Sequence, residues 1–405
     1  MVKDLGKIVF NTFLGSSLSI SAGEFSTGET LSEAVPLEEI PLEREDSKNC
    51  SFCDALRGLG TPIYKNPNNP FIQEFRLRGR THYQFASVDG DNDGEDFSAN
   101  GGELRRFWGG VQFKAFNRLD VIATGRFSEQ GFRNHDIQYN EVDALSVDYR
   151  LDDFGPLKGA KLGYGRYRMD FGREWHTSVN KIKTPERAPV FDRFIVPRAT
   201  SVRFQGQAWG VDFKLDYLTT DDSDGLARWN GGEAVHIATE WNALRGRWFA
   251  DAFVVNADQE DDELLDYEKA FSLAYEWKML DWTVFVNGVW GDVEGGDIWG
   301  VVSMAHRPIY KNKVEAVLRY QYAAANDNLL RVGGRASRNV AAIEGQSFGL
   351  GDVAQNAYAG INFYGLGIGA KTNSTLLLGV EWDRVSRDDE DLEAVTLWAN
   401  YRIFF

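Results

Sequence analysis

Residues 75–85 read FRLRGRTHYQF, with arginine at every second position of the first half. A β-strand sends alternate side chains to opposite faces. One face would therefore carry Arg76, Arg78 and Arg80, with His82 above them, and the opposite face is mostly aromatic and aliphatic. Either the apolar face packs on the core of a soluble protein and the arginines face bulk water, or the arginines face a confined channel. The rest of the chain decides between these two possibilities.

Composition favours a β protein rich in aromatic residues. The 405 residues include 12 Trp, 15 Tyr, 27 Phe and 41 Gly, but only 10 Pro. No run of about 18 apolar residues could form a membrane-spanning helix, which excludes an α-helical membrane protein. The net charge of -16 opposes binding to a polyanion, so nucleic acid is not expected as a partner.

From Phe71 onward, runs of about ten residues with alternating hydrophobicity recur, as in β-strands. The clearest is WGVDFKLDYL at 209–218. With the opening strand and the final run AVTLWANYRIFF, we count about 16 runs. The others lie near 104–116, 117–128, 139–151, 159–170, 199–207, 233–241, 247–257, 268–278, 281–291, 297–307, 312–323, 355–365 and 374–385.

The connections between these runs alternate in length. Short turns alternate with long, mostly acidic segments at 89–102, 219–232, 257–266, 291–297 and 386–394, and two further long segments at 171–198 and 324–353 keep the same parity. Short turns on one rim and long loops on the other are typical of membrane barrels rather than of soluble sandwiches. The pattern predicts an all-β fold, a transmembrane antiparallel up-and-down β-barrel of about 16 strands.

Both ends of the chain indicate a bacterial outer-membrane location. Residues 1–23 resemble an export signal peptide, with Lys3 and Lys7 before an apolar run. The chain ends on an aromatic residue, Phe405, in an amphipathic strand, which is characteristic of outer-membrane proteins and serves there as a signal to the outer-membrane assembly machinery. Trp and Tyr near strand ends would anchor the barrel in outer-membrane lipid.

Residues 24–70 are polar and proline-containing, and are expected to form a periplasmic segment before a barrel at 71–405. They carry Cys50 and Cys53, a C-x-x-C pair that could form a local disulfide in an exported protein. A redox or haem-partner role stays open. A structural zinc site would lack ligands, so neither a metal nor another cofactor is predicted.

The membrane interpretation fixes the side on which the arginines lie. A charge facing lipid near the midplane costs about 2–4 kcal/mol, so the cationic column must face the lumen. Guanidinium groups in a narrow aqueous pore attract small anions. Extending the same reasoning along the first five strands gives the predicted pore-lining, anion-binding set: Arg76, Arg78, Arg80, His82, Arg106, Lys114, Arg126, Arg166 and Arg168.

Several segments of the first half resemble the phosphate-selective porin O and P family. The most specific are GYGRYRMDFGREW at 163–175 and FDRFIVPRATSVRFQG at 191–206, together with ELRRFWGGVQFK at 103–114. Asp170 stands where proline is usual in the family. The resemblance implies a homotrimeric, sixteen-stranded channel for passive uptake of anions. It also implies that the loop at 171–198 folds inward as a constriction, bringing Glu174, Lys181, Lys183 and Arg187 into the pore.

The predicted function is therefore that of an outer-membrane porin for small anions, with phosphate-like anions as candidate solutes. Two alternatives remain open: a general diffusion porin without selectivity, and a structural barrel that holds an envelope partner such as a cytochrome. An enzyme is not predicted, because the five histidines lie in no catalytic constellation with serine or aspartate.

Overall fold

Sixteen antiparallel strands form a closed barrel in the part of the chain that the structure describes. The structure is a computed structural model, and it describes residues 61–129, 131–194, 198–221, 223–256, 265, 267–293, 296–311, 313–326, 329–331, 333–344, 350–365, 374–387 and 390–404. The predicted signal peptide, the Cys50 and Cys53 pair and Phe405 lie outside these residues. The predicted fold class is confirmed.

The strands follow one another in chain order around the barrel. Their bounds are β2 (Ile72–Asn92), β3 (Glu95–Ala115), β4 (Leu119–Ser128), β5 (Ile137–Arg150), β6 (Lys158–Tyr167), β7 (Ala199–Ala208), β8 (Val211–Thr219), β9 (Glu233–Ala243), β10 (Gly246–Asn256), β11 (Tyr267–Met279), β12 (Trp282–Val293), β13 (Gly296–Tyr310), β14 (Val314–Ala325), β17 (Val353–Tyr364), β18 (Ser374–Arg387) and β19 (Glu390–Phe404).

The barrel closes where β19 pairs with β2, from Leu392 opposite Asn92 to Phe404 opposite Arg80. A two-residue strand, β1 (Tyr64–Lys65), pairs with β2 next to this seam. Closure matters in a membrane, because every strand edge that faces lipid must find a hydrogen-bonding partner. A separate short pair, β15 (Leu330–Arg331) and β16 (Leu350–Gly351), lies between β14 and β17 in sequence.

The acidic segment 89–102, expected as a long loop, is instead a continuation of β2 and β3. The two strands run to a two-residue turn at Asp93 and Gly94, whose φ angles are 49° and 87°. An Asp-Gly pair suits a hairpin turn in which both central residues have positive φ. The expected loops at 291–297 and 386–394 are likewise short hairpin connections, since β13 begins at Gly296 and β19 at Glu390.

The outer face of the barrel has the polarity that a membrane requires. On β2, Leu77, Tyr83 and Phe85 are exposed and point outward, and the same face becomes polar at Ser87 and Asp89. Aromatic side chains stack near the short-turn ends of β9, β10 and β11, and a second group lies nearer the long-loop ends. The first group is Trp241, Trp248, Tyr275 and Trp277, and the second is Phe271, Trp290, Trp299 and Tyr322. Two aromatic belts around an apolar band are typical of transmembrane barrels.

Two segments fold into the barrel. The first, residues 168–194, contains a single helical turn, α1 (Arg173–His176), and a 3-10 turn (Pro189–Arg193). The second, residues 333–344, contains the helix α2 (Arg335–Ile343), whose buried side includes Ala336, Val340 and Ala341. Among the described helices, none has the length and apolar character needed to cross a membrane.

Candidate functional site in the barrel lumen

The inward segment 168–194 is fixed to the strands on one side of the barrel. At its start, the backbone N–H of Gly172 donates to Asp251 of β10 (2.7 Å), and that of Arg173 donates to Asn287 of β12 (2.7 Å). Ring contacts of 5.7–5.8 Å join Phe171 to Phe253 and to Phe194, which seals this side from water. The segment therefore begins by crossing from β6 toward β10 and β12.

The middle of the segment is held by buried arginines of the wall. Arg402 of β19 donates to the carbonyl oxygens of Ile182 (2.7 Å) and Thr184 (2.6 Å). Arg319 of β14 donates to the carbonyl oxygen of Glu186 (2.8 Å). Both guanidinium groups are almost completely buried, and backbone carbonyls satisfy part of their donor capacity. These arginines serve as structural anchors.

Glu186 joins the inward segment to β3 and to α2. Its carboxylate lies 2.5 Å from Arg105 and 3.3 Å from Arg106, both on β3, and 3.7 Å from Arg335 of α2. Burial alone would raise the pKa of Glu186, but the charges of Arg105, Arg106 and Arg335 outweigh burial and hold the pKa well below its usual value. Glu186 is therefore ionised at neutral pH.

The open part of the lumen lies along β2 to β8, because the inward segment covers the interior of β10 to β19. The helix α2 covers the part of β2 and β3 around Gln84 and Glu103. Lumen-facing residues of the covered side, such as Asn287, Gln321 and Asn400, are buried. On the open side Arg78 and Asp212 are exposed, although both point into the barrel. This open side carries most of the cations that the sequence placed in the pore.

Five carboxylates on the open side are each shared by two cations. Glu141 holds Arg126 and the buried Arg166, and we call the other four groups the four shared-carboxylate clusters. Glu74 contacts Arg76 and Lys114; Asp120 contacts Arg150 and Lys161; Asp143 contacts Arg80 and Arg198; Asp170 contacts Arg168 and Lys214. The cationic side chains are 10–39% exposed, whereas the carboxylates are only 2–8% exposed. The lumen therefore presents cations, with the acids beneath them.

Arg78 and Arg80 occupy the centre of this wall. Among the described residues, Arg78 has no carboxylate within 4.0 Å, and its side chain is exposed to the lumen. The Arg80 guanidinium lies 3.6 Å above the ring of Trp108 and 3.5 Å from Asp143. Stacking on an indole holds a guanidinium plane without neutralising its charge.

Three residues of the predicted pore set are buried. His82 is completely buried, with its Nδ1 3.4 Å from Arg106, and Arg106 is itself held by Glu186. Arg166 contacts Glu141 (3.1 Å) and donates to the carbonyl oxygen of Gly225 (3.1 Å), beneath the β8–β9 connection. None of these three side chains faces open lumen.

The face assignment of β6 is corrected by the structure. Leu162 and Tyr164 are the exposed outward residues, and Arg166 shares their face. The prediction that Arg166 and Arg168 face the pore would put Tyr167 on the lipid side, but Tyr167 is buried and donates its hydroxyl hydrogen to Asp148 on the lumen side (2.8 Å). The short GYGRY stretch is ambiguous by sequence, because glycine and tyrosine suit both faces.

The remaining predicted residues lie as follows. Arg126 contacts Glu141 (2.7 Å), and Arg168 donates to the carbonyl oxygen of Thr177 (3.2 Å). In the inward segment, Glu174 accepts from the backbone of Ala188, Lys183 contacts Glu315 (2.9 Å), and Lys181 is exposed. Arg187 lies over Trp175 (4.0 Å) and donates to the carbonyl oxygens of Glu174 and Thr177.

Sequence reasoning missed Arg150, Lys161, Arg198 and Lys214 as lumen cations. Arg150 and Lys161 lie close to strand ends, where the outward or inward face is hard to assign, and both contact Asp120. Lys214 lies in the well-defined alternation of β8, opposite Leu215, so its position was available from the pattern. No group of metal-ligating side chains was found among the described residues.

Solved outer-membrane proteins share this architecture. The outer-membrane channel DcaP of Acinetobacter baumannii is 12% identical, with a TM-score of 0.51 over 84% of this chain and 99% of that chain. OprB of Pseudomonas putida is 10% identical, with a TM-score of 0.54 over 82% and 94%. OmpF of Salmonella typhi is 11% identical, with a TM-score of 0.50 over 84% and 100%. At these identities the likeness concerns the fold. The search of curated proteins returned no match.

The closed barrel, its apolar belt and its charged lumen are those of an outer-membrane β-barrel, and the protein is located in the outer membrane. Residues 75–227 match the family model described as phosphate-selective porin O and P. The predicted resemblance to that family is thereby confirmed. The matched range spans β2 to β8, the strands that carry the cationic wall, and the comparisons indicate a channel rather than an enzyme.

Proposed function

We propose that the protein is a porin through which small anions diffuse passively along the wall formed by β2 to β8. The observation that carries this proposal is the excess of cations in the four shared-carboxylate clusters. Their eight cations and Arg78 face four carboxylates. Asp148 and Asp212 lie on the same wall, and they reduce the excess without cancelling it.

The arrangement suits conduction better than tight binding. Each cluster keeps its carboxylate within contact of both cations, so an approaching anion meets a guanidinium or ammonium group whose charge is partly compensated. Several weak sites in sequence let an anion enter and also leave. Phosphate-like anions fit such a wall, because guanidinium groups can offer two parallel hydrogen bonds to phosphate oxygens.

Segment 168–194 would act as the constriction of this channel. It lies against the side of the lumen next to β10 to β19, where Lys181 shares a cavity with Glu276 and His306, and it contributes Arg168 to the open side. The family resemblance further supports a homotrimer in outer-membrane lipid, inserted by the outer-membrane assembly machinery. Cross-linking of the detergent-extracted protein tests the trimer, since a monomer at all cross-linker concentrations would contradict it.

Ion substitution in planar bilayers tests the proposed function. Single-channel conductance is measured in potassium chloride, in potassium paired with a bulky anion, and in chloride paired with a bulky cation. We expect conductance to fall with the bulky anion and to persist with the bulky cation. The opposite pattern would refute anion preference, and equal falls would support a general diffusion porin. Block of the chloride current by added phosphate tests the narrower claim about phosphate-like solutes.

A further inference from the structure

The lumen contains a cavity of about 410 Å³ near the short-turn ends of β6 to β9. We call it the short-turn vestibule. Its charged and amide lining consists of Lys158, Gln205, Gln207, Asp212, Lys214 and Glu240. The volume is in the range of sites for small molecules. Unlike the wall around Arg78 and Arg80, this cavity presents both signs of charge.

Asp212 is the distinctive residue of the short-turn vestibule. Its side chain is exposed and accepts a hydrogen bond from Gln207 (3.1 Å), and no cation lies within 4.0 Å of its carboxylate among the described residues. The carboxylates of the four shared-carboxylate clusters are instead buried under two cations each. Asp212 is therefore free to attract a positive group from solution.

Lys214 supplies the opposite charge on the same face of the strand. Residues two apart in a strand have Cα atoms about 7 Å from each other, so Asp212 and Lys214 place unlike charges on the same face of β8. Lys214 is anchored by Asp170, which keeps its ammonium group on the lumen side. The ammonium and carboxylate groups of an α-amino acid each need a partner about 2.9 Å away, and unlike charges on one strand face can supply both.

We infer that the short-turn vestibule orients and admits small zwitterions, such as free amino acids, in addition to anions. The ammonium group of the solute meets Asp212, and its carboxylate meets Lys214 and the amides of Gln205 and Gln207. The carboxylate of Glu240 in the lining is held by Arg247 (2.9 Å). The inference rests on the proposed channel and extends its substrate class. It concerns a different part of the lumen from Arg78 and Arg80.

Liposome swelling with the full chain tests this inference. Permeation of alanine is compared with that of erythritol, a neutral solute of similar size, in the parent and in Asp212→Asn. We expect the alanine-to-erythritol ratio to fall roughly fivefold, the effect of losing one charge contact in a water-filled pore. Permeation of acetate should rise in the same variant, because a negative charge has been removed from the path.

Asp281→Asn is the matched control, because Asp281 is an exposed carboxylate on a short turn outside the cavity lining. An unchanged alanine-to-erythritol ratio in Asp212→Asn, or an equal fall in Asp281→Asn, would overturn the inference. A misfolded variant would lower permeation of alanine, erythritol and acetate together, and heat-dependent migration in gels identifies it. Failure of anion preference would appear in the ion-substitution currents and would leave the alanine-to-erythritol ratio of the parent unchanged.

Discussion

Replacing Arg76, Arg78 and Arg80 together by glutamine removes three cations from the centre of the open wall. The structure indicates that this variant folds, because no carboxylate loses its last cation. Glu74 keeps Lys114 at 3.3 Å, and Asp143 keeps Arg198. Arg78 has no carboxylate partner to lose among the described residues. The change is therefore one of electrostatic potential in the lumen.

The expected size follows from Coulomb's law. A unit charge about 4 Å from a passing ion contributes about 1 kcal/mol in a water-like medium, and each 1.4 kcal/mol is tenfold. Losing such a contact slows the anion about fivefold at low salt, and cations gain by a similar factor. In the four shared-carboxylate clusters and Arg78, the excess of cations over carboxylates falls from five to two. We expect the anion-to-cation permeability ratio to fall at least about 25-fold, which is the product of the two fivefold factors.

The assay is the reversal potential across a salt gradient at low ionic strength, where screening is weakest. The control changes Arg245, Lys311 and Lys313 to glutamine, three exposed cations of the short turns. The control should keep the parent's permeability ratio within about twofold. A triple arginine variant that retains the parent's selectivity would refute the assignment of these side chains to the conducting path.

Three further outcomes are expected. Arg105 and Arg106 hold the pKa of Glu186 below its usual value, so the ion pairs of Glu186 stabilise the inward segment at the usual pKa and above, and they are lost as pH falls through the lowered pKa. Conductance should therefore stay constant from pH 7 to about pH 4.5 and change only in stronger acid. A transition near pH 6 would contradict this reasoning. Gly172→Ala should displace the inward segment and speed trypsin cleavage within it, because φ is 76° and a Cβ would lie 2.3 Å from the ring of Phe191. The strained backbone should cost about 1–3 kcal/mol of stability. The control Gly210→Ala, at φ 78° in open space, should leave cleavage unchanged. Replacing residues 333–344 by a glycine-serine linker should raise single-channel conductance, because α2 occupies the lumen between β2, β3 and β19. An unchanged current would show that α2 does not restrict the path.

The barrel could be predicted from the sequence because the features that specify it are local. Alternation along a strand such as β8, and the regular sequence of short and long connections, depend only on neighbouring residues and on the membrane's demand for an apolar outer face. The side on which Arg76, Arg78 and Arg80 lie followed from the same rule. The errors in loop length at 89–102 arose because acidic residues suit both a loop and an exposed hairpin above the membrane.

The pairing of charges could not be predicted, because it depends on contacts between strands. Asp120 meets Arg150 and Lys161, which lie 30 and 41 positions further along the chain. The burial of His82 and Arg106 depends on Glu186, in a segment whose path across the lumen no local pattern specifies. Strand register and the route of the inward segments thus determine which predicted cations face water.

We propose that the exposed cations of β2 to β8, rather than the net charge of -16, set the selectivity of the channel. The most direct test of this proposal is the reversal potential of the unmodified protein in a tenfold gradient of potassium chloride. We predict a potential with the sign of anion preference, bounded by the ideal value of about 59 mV for a monovalent ion. A potential of the opposite sign would contradict this proposal, and so would a potential of zero.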